Sequence, residues 1–445
     1  MRNRKSTSRK KAVYRRSVTP TSASDYADAK RQYLKRQRLQ QRGGSSSTSH
    51  SLRPRVTPSK RHFWHENQKT KQAVAEETRA IVLGDGKYVE ERRVSAVTTS
   101  PALSTREGHV PGVDAPEALQ VPHDIAIPIQ LCRQGTTFYP HYSEALARWA
   151  TTRPHLPPVA ETMIDFFPRG PLTTARRLSR TTLSLRMQRA SSPNESSLGV
   201  LSFASPKRPC GGFLQGGDEQ EDKIARHSSL LASLSSPAAQ QFYQEHKKFL
   251  KEDGSGLHDH SMVYSPGVVV FRREGDDDLP PDPDVSVVSA SPIVNESVGG
   301  EFIPPYLINV ISAVPVNAMA VRAKHIILPS EQHFFENGIR SAMKERMARI
   351  LHLFEEKGNR VLVLGAFGCG PQSQNNVEAI ASIWAELLVC GDLEGRGGTK
   401  REARFKHSFE KIVFAVSGKM LEQFKKAFKA RLFEADVADA AMDNS

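Results

Sequence analysis

Two stretches of the sequence combine glycine with side chains able to do acid–base or phosphate chemistry. The first runs Ser202-Phe-Ala-Ser-Pro-Lys-Arg-Pro-Cys-Gly-Gly-Phe-Leu-Gln-Gly-Gly-Asp-Glu-Gln-Glu-Asp222. Glycines such as Gly211 and Gly212 let a backbone approach a ligand closely and offer it N–H groups. Carboxylates beyond them can serve as acids or bases, or hold sugar hydroxyls. A structural reading competes: Asp218 as N-cap with Glu221 three residues later makes a capping box at a helix start. The second stretch is Val361-Leu-Val-Leu-Gly-Ala-Phe-Gly-Cys-Gly370, leading through Gln372-Ser-Gln-Asn-Asn376 toward a helix. A buried strand, a Gly-rich turn and a helix N-terminus make a phosphate cradle, or a tight turn with close packing. It lacks the Gly-Lys-Ser/Thr of a P-loop and the Rossmann fingerprint.

The surrounding elements must position these groups. Apolar runs at Gly199–Ala204, Val263–Phe271, Ile308–Val314, Val361–Leu364 and Ile412–Val416 read as strands. Helical spacing predicts helices over Lys69–Leu83, His141–Thr151, from about Glu219, along the face of Ile339, Met343, Met347, Ile350 and Phe354, over Val377–Val389, and along Met420, Phe424 and Phe428. Residues 170–197 carry Arg, Ser and Thr without an evident apolar face and read as a loop insertion. Glu274–Asp284 reads as an acidic, Pro-rich linker, and Val285–Ser289 as a further short apolar run. Buried strands alternating with amphipathic helices indicate an α/β layer structure with a mixed sheet.

Composition narrows the class. The chain has 445 residues and a formal charge of +14. That excess belongs to residues 1–61, which hold Asp25 and Asp28 as their acids and carry about +16. Few large apolar residues occur there, so residues 1–60 read as a disordered tail with a possible short helix at Ala27–Gln41. Its Arg/Lys clusters suit a nuclear-import signal, a nucleic-acid contact or, less well, a mitochondrial presequence. Four scattered cysteines, without zinc-type spacing, indicate a reduced intracellular protein of nucleus or cytoplasm and no metal. No run is long and apolar enough for a membrane span.

Taken together, the two Gly-rich stretches resemble the microbial-type poly(ADP-ribose) glycohydrolases, macrodomain relatives. That family typically shows Asn-Phe-Ala-(Ser/Asn)-Ala-x-x-Pro-Gly-Gly-Gly, about seven residues, then Gln-Glu-Glu and a helix ending near Arg-Ser-Ser. Residues 202–230 follow this layout down to Arg226-His-Ser-Ser-Leu230. Ala75-Glu-Glu-Thr78, Tyr264–Arg272, Pro304–Asn317, Gly365–Gly370 and Ala403–Phe409 extend it over about residues 65–433. The resemblance implies an α/β, macrodomain-like three-layer fold with a mixed central sheet: an N-terminal helical extension at 61–169, a core at 198–435 and a C-terminal tail at 436–445.

It also implies hydrolysis of the ribose–ribose O-glycosidic bond of poly(ADP-ribose), releasing ADP-ribose without cofactor or metal. Glu221 and Asp222 would be the catalytic pair, Glu221 holding the terminal ribose and Asp222 protonating the leaving oxygen. Gly211, Gly212, Gln220, Gly365, Ala366, Phe367, Gly368, Cys369 and Gly370 would bind the ligand. Four departures sit there: Cys210 for the first glycine, Asp222 for the second glutamate, Ser202 and Ser205 where Asn is common, and Pro371-Gln372 for Val-Phe. They leave open an ADP-ribose-binding reader with weakened catalysis. A nucleic-acid-associated protein acting through its basic tail is a third reading.

Overall fold

The structure is a computed structural model and describes residues 58–93, 118–152, 158–187, 197–252, 254–279, 298–325, 327–392 and 402–443. The basic segment up to residue 57 and the run Val285–Ser289 lie outside the described residues. Contacts divide the chain into two units, 56–326 with 334–445, and 1–55 with 327–333. The elements below belong to the first, apart from residues 332 and 333.

The strands of the main sheet are β3 (Thr137–Tyr139), β4 (Met163–Phe167), β5 (Leu198–Phe203), β6 (Met262–Glu274), β7 (Gly299–Ala313), β8 (Val361–Leu364) and β9 (Lys411–Ala415), in the order β3-β6-β7-β5-β8-β9-β4. Pairings from β7 through β5, β8 and β9 to β4 are parallel, whereas β3–β6 and β6–β7 are antiparallel. β1 (Lys87–Arg93) and β2 (Ala118–Asp124) form a separate two-stranded antiparallel sheet, whose Tyr88 packs on Phe271 and Phe302 of the main one. The central strands are apolar on both faces because helices cover both. In β5, Leu201 packs into one core with Phe354 and Trp384, while Leu198 and Val200 pack into the other with Ile224 and Phe242. The result is the three-layer, mixed-sheet fold expected.

The helices are α1 (Pro58–Leu83), α2 (Ala126–Gly135), α3 (Glu144–Ala147), α4 (Pro171–Met187), α5 (Gln220–His227), α6 (Leu230–Leu234), α7 (Pro237–Glu252), α8 (Ala318–Lys324), α9 (Gln332–Glu356), α10 (Val377–Ala385) and α11 (Met420–Asp443). Several expectations need correction. Residues 171–187 are a helix, not a loop: Leu172, Ala175 and Leu178 form a buried stripe at helical spacing. Segment 61–169 is not a helical extension, since it supplies the two-stranded sheet and both edge strands, β3 and β4, of the main sheet. Helix α3 is a single turn rather than the helix read over His141–Thr151. Helix α1 begins at Pro58, and α11 continues through the supposed tail to Asp443, where alanines favour the helix. The linker at Glu274–Asp278 is ordered, because its acids pair with α4.

Candidate functional site

Helix α5 is fixed against the end of β5 by one side chain. The Gln220 amide oxygen accepts the Phe203 N–H at 2.8 Å, and its nitrogen donates to the Leu201 carbonyl at 2.8 Å, so the side chain acts as an extra rung of β5. The next residue, Glu221, is thereby turned inward and is 1% exposed. Its Oε2 accepts the Ser205 N–H at 2.7 Å. Its Oε1 is buried without a hydrogen-bond partner. Burial pushes the carboxyl up to about 8, opposed by the backbone amides of Ser205 and Cys210 and helped by the charge of Asp222. Burial thus favours the protonated form of Glu221.

Asp222 is held differently. Its Oδ1 accepts the Gly212 N–H at 2.6 Å and its Oδ2 the Glu219 N–H at 3.1 Å. Burial raises its pKa, with both amides pulling it back. The capping box exists, but one residue later than the sequence suggests, between Glu219 and Asp222. Asp218 is drawn off to Lys71 of α1 at 2.5 Å. Glycines make room for the Asp222 carboxyl: a Cβ on Gly211 would stand 2.5 Å from Oδ1 and 3.3 Å from Glu221 Oε2. Cys210, at the departure from the triple glycine, has φ 58° and is fully buried.

The second Gly-rich stretch divides its residues between cleft and core. Ala366, Gly368 and Gly370 line a cleft of about 1140 Å³, together with Gly211, Gly212, Gln220, Glu221 and Asp222. Phe367 turns away into the core, edge-on to Phe203 at 5.3 Å. Gly365 accepts the Trp384 indole N–H at 3.1 Å, and Cys369 is packed with Phe367 in the same core. Those three position the turn rather than line the cleft. Gly368 has φ +71°, and the Asn375 side chain donates to its carbonyl at 3.0 Å and to that of Val316 at 2.7 Å. Gln372 hydrogen-bonds Glu219 and so joins this turn to the start of α5. The two stretches are brought into one site.

Other lining groups escape sequence reasoning. Arg169, Glu274 and Asp276 form a wall of the cleft at the start of α4. The Glu274 Oε2 accepts the Thr173 N–H at 2.8 Å, and burial, with Asp276 nearby, pushes the carboxyl up to about 7. Buried Arg226 donates to the Gly217 carbonyl. The available signal was the Arg-rich sequence of 169–180 set against the acids of 274–278.

Residues 118–273 match the family described as microbial-type PARG, catalytic domain. Poly(ADP-ribose) glycohydrolase from Thermomonospora curvata shares the fold, with a TM-score of 0.55 and 24% identity, over 82% of this chain and 99% of that one. The same protein bound to the inhibitor ADP-HPD gives a TM-score of 0.53 at 25% identity, over the same shares. The chain is similar to microbial-type PARG in sequence and in fold. The PARG match spans β2 to β6 and so includes Glu221 and Asp222, while the Gly365–Gly370 turn lies beyond it. No curated protein sequence matches the chain.

Proposed function

We propose that the chain is a poly(ADP-ribose) glycohydrolase that cleaves the ribose–ribose O-glycosidic bond and releases ADP-ribose, with Glu221 as the acid. The observation that carries this reading is the place of the Glu221 carboxyl: buried at the lining of a cleft rimmed by two Gly-rich stretches, where burial pushes its pKa up to about 8. Glu221 gives its proton to the leaving ribose oxygen as the C–O bond breaks and an oxocarbenium-like centre forms. The carboxylate left behind then takes a proton from the attacking water, which restores the acid. Asp222 keeps the Gly211–Gly212 loop in place through its two amide contacts and adds negative charge near the cationic centre. This exchanges the roles that the family resemblance implied, where the second acid protonates the leaving group.

The reader alternative has one observation in its favour. Both Asp222 oxygens are occupied by loop amides, and the side chain is one methylene shorter than the glutamate usual in the family. Two measurements on one preparation separate the readings: ADP-ribose affinity by calorimetry, and release of ADP-ribose from poly(ADP-ribose). Binding with release supports the hydrolase and binding alone the reader. Neither would leave the basic segment 1–61, and a polyanion contact through it, as the remaining reading.

A further inference from the structure

The turn that leads from β5 to the glycines carries two cations. Pro206-Lys-Arg-Pro209 is bracketed by prolines, which fix φ and stiffen the turn. Its two ends are tied to the two acids. Ser205 gives its N–H to Glu221 Oε2 at 2.7 Å, and its Oγ accepts the Lys207 N–H at 3.3 Å. The Arg208 carbonyl accepts the Gly211 N–H at 3.3 Å, and the next residue, Gly212, gives its N–H to Asp222. Lys207 and Arg208 are exposed and line the cleft. A Cβ placed on Gly212 would stand 3.8 Å from Arg208 Nη2 and 3.7 Å from Asp222 Oδ2, so the guanidinium and that carboxyl flank one point above the loop. Three other cations of the cleft are committed: Lys71 to Asp218 at 2.5 Å, Arg169 to Asp278 at 3.1 Å and Arg226 to the Gly217 carbonyl. Among the described residues, neither Lys207 nor Arg208 pairs with an acid.

A polyanionic substrate meets like charge in this cleft, where Asp218, Glu219 and Asp222 are among the lining groups. In poly(ADP-ribose) the leaving ribose oxygen belongs to the neighbouring unit, whose diphosphate begins one ribose away from that oxygen. A cation for this diphosphate must stand close to the acids and still be open to solvent, where the rest of the polymer runs. Arg208 and Lys207 meet both conditions. We propose that Lys207 and Arg208 form a second anion subsite, which grips the diphosphate of the unit next to the one released and so makes the protein prefer polymer to single ADP-ribose. The planar fork of Arg208 suits a two-oxygen contact with phosphate, and Lys207 adds a point charge. A turn fixed beforehand at both ends loses little freedom when the phosphate arrives. The inference rests on the glycohydrolase reading, but not on which of the two acids gives the proton.

The test compares the full-length double variant Lys207→Gln/Arg208→Gln with the unmodified protein, on poly(ADP-ribose) chains and on ADP-ribose. KM for polymer should rise by at least about tenfold at low salt, with kcat nearly unchanged and ADP-ribose affinity, read by calorimetry, within a few-fold. The slope of log KM against log salt concentration should fall by about one or more. An unchanged polymer KM in the folded double variant overturns the proposal. An equal loss of ADP-ribose affinity also overturns it, because the two cations would then belong to the terminal unit's own pocket. So does an equal loss of affinity for single-stranded RNA, which would make the pair a contact for any polyanion. If the unmodified protein releases no ADP-ribose, the hydrolase reading fails by itself. The same comparison, made on equilibrium affinity for polymer, then still decides this one.

Discussion

Cys210 holds a left-handed backbone, φ 58°, with its side chain fully enclosed in the core. The conformation costs a side-chain-bearing residue about 1–2 kcal/mol, and burying the side chain returns roughly as much. Cys210→Gly should therefore change stability by less than about 1 kcal/mol, read as a denaturant midpoint; a loss above about 3 kcal/mol would mean the thiol fills a space the loop cannot close. The same balance explains why the departure from the triple glycine is tolerated for folding. The position and the glycine context of Cys210 were legible in the sequence, as was the pairing of Glu221 with Asp222. Which acid keeps the proton was not. That depends on Ser205, Gly212 and Glu219 presenting their amides to different oxygens, a matter of loop geometry rather than residue type.

Among the elements, the Gly365–Gly370 turn offers two positions with different meanings. At Gly368 a Cβ would meet Pro315 and the Asn375 amide at 2.6 Å each, in a left-handed backbone. A bulky residue there would unsettle the fold and says nothing clean about a ligand. At Gly370 a Cβ would find Glu219 Oε2 at 3.9 Å, an ordinary contact, while still projecting at the cleft. Gly370→Ala should leave the melting temperature nearly unchanged and weaken ADP-ribose binding by at least several-fold in calorimetry. Equal affinity in the folded variant would remove this turn from the ligand site. The turn itself could be read from the strand Val361–Leu364 and the glycines after it. Helix α4 could not, because its apolar stripe is interrupted by Thr173 and Arg176, which are buried against Glu274 and Asp277 from a hundred residues away. The edge strands β3 and β4 are short and only partly buried, so they carry little hydrophobic period to read.

Across the whole molecule, buried titratable groups set how stability depends on pH. Glu221 and Glu274 are raised from 4.5 to about 8 and about 7. The unfolded chain ionises them first, so their contribution is full below about 4.5 and is lost as pH rises through those values. His227, His246 and His260 are lowered by burial from 6.5 to about 3, about 4 and about 3. Their contribution is present above 6.5 and lost as pH falls below it. Between 4.5 and 6.5 three histidines outweigh two glutamates, and above 6.5 the glutamates act unopposed. The melting temperature should peak near pH 6.5, and Glu221→Gln should flatten its alkaline side. A melting temperature that climbs steadily to pH 8 would show that Glu221 and Glu274 are ionised in the fold. The measurement that tests the central claim most directly uses the same variant. Glu221→Gln should release ADP-ribose from poly(ADP-ribose) at least about 100-fold more slowly, with ADP-ribose affinity within a few-fold of the unmodified protein. Undiminished release by Glu221→Gln, with Asp222→Asn the inactive one, would contradict the account and return the acid's role to Asp222.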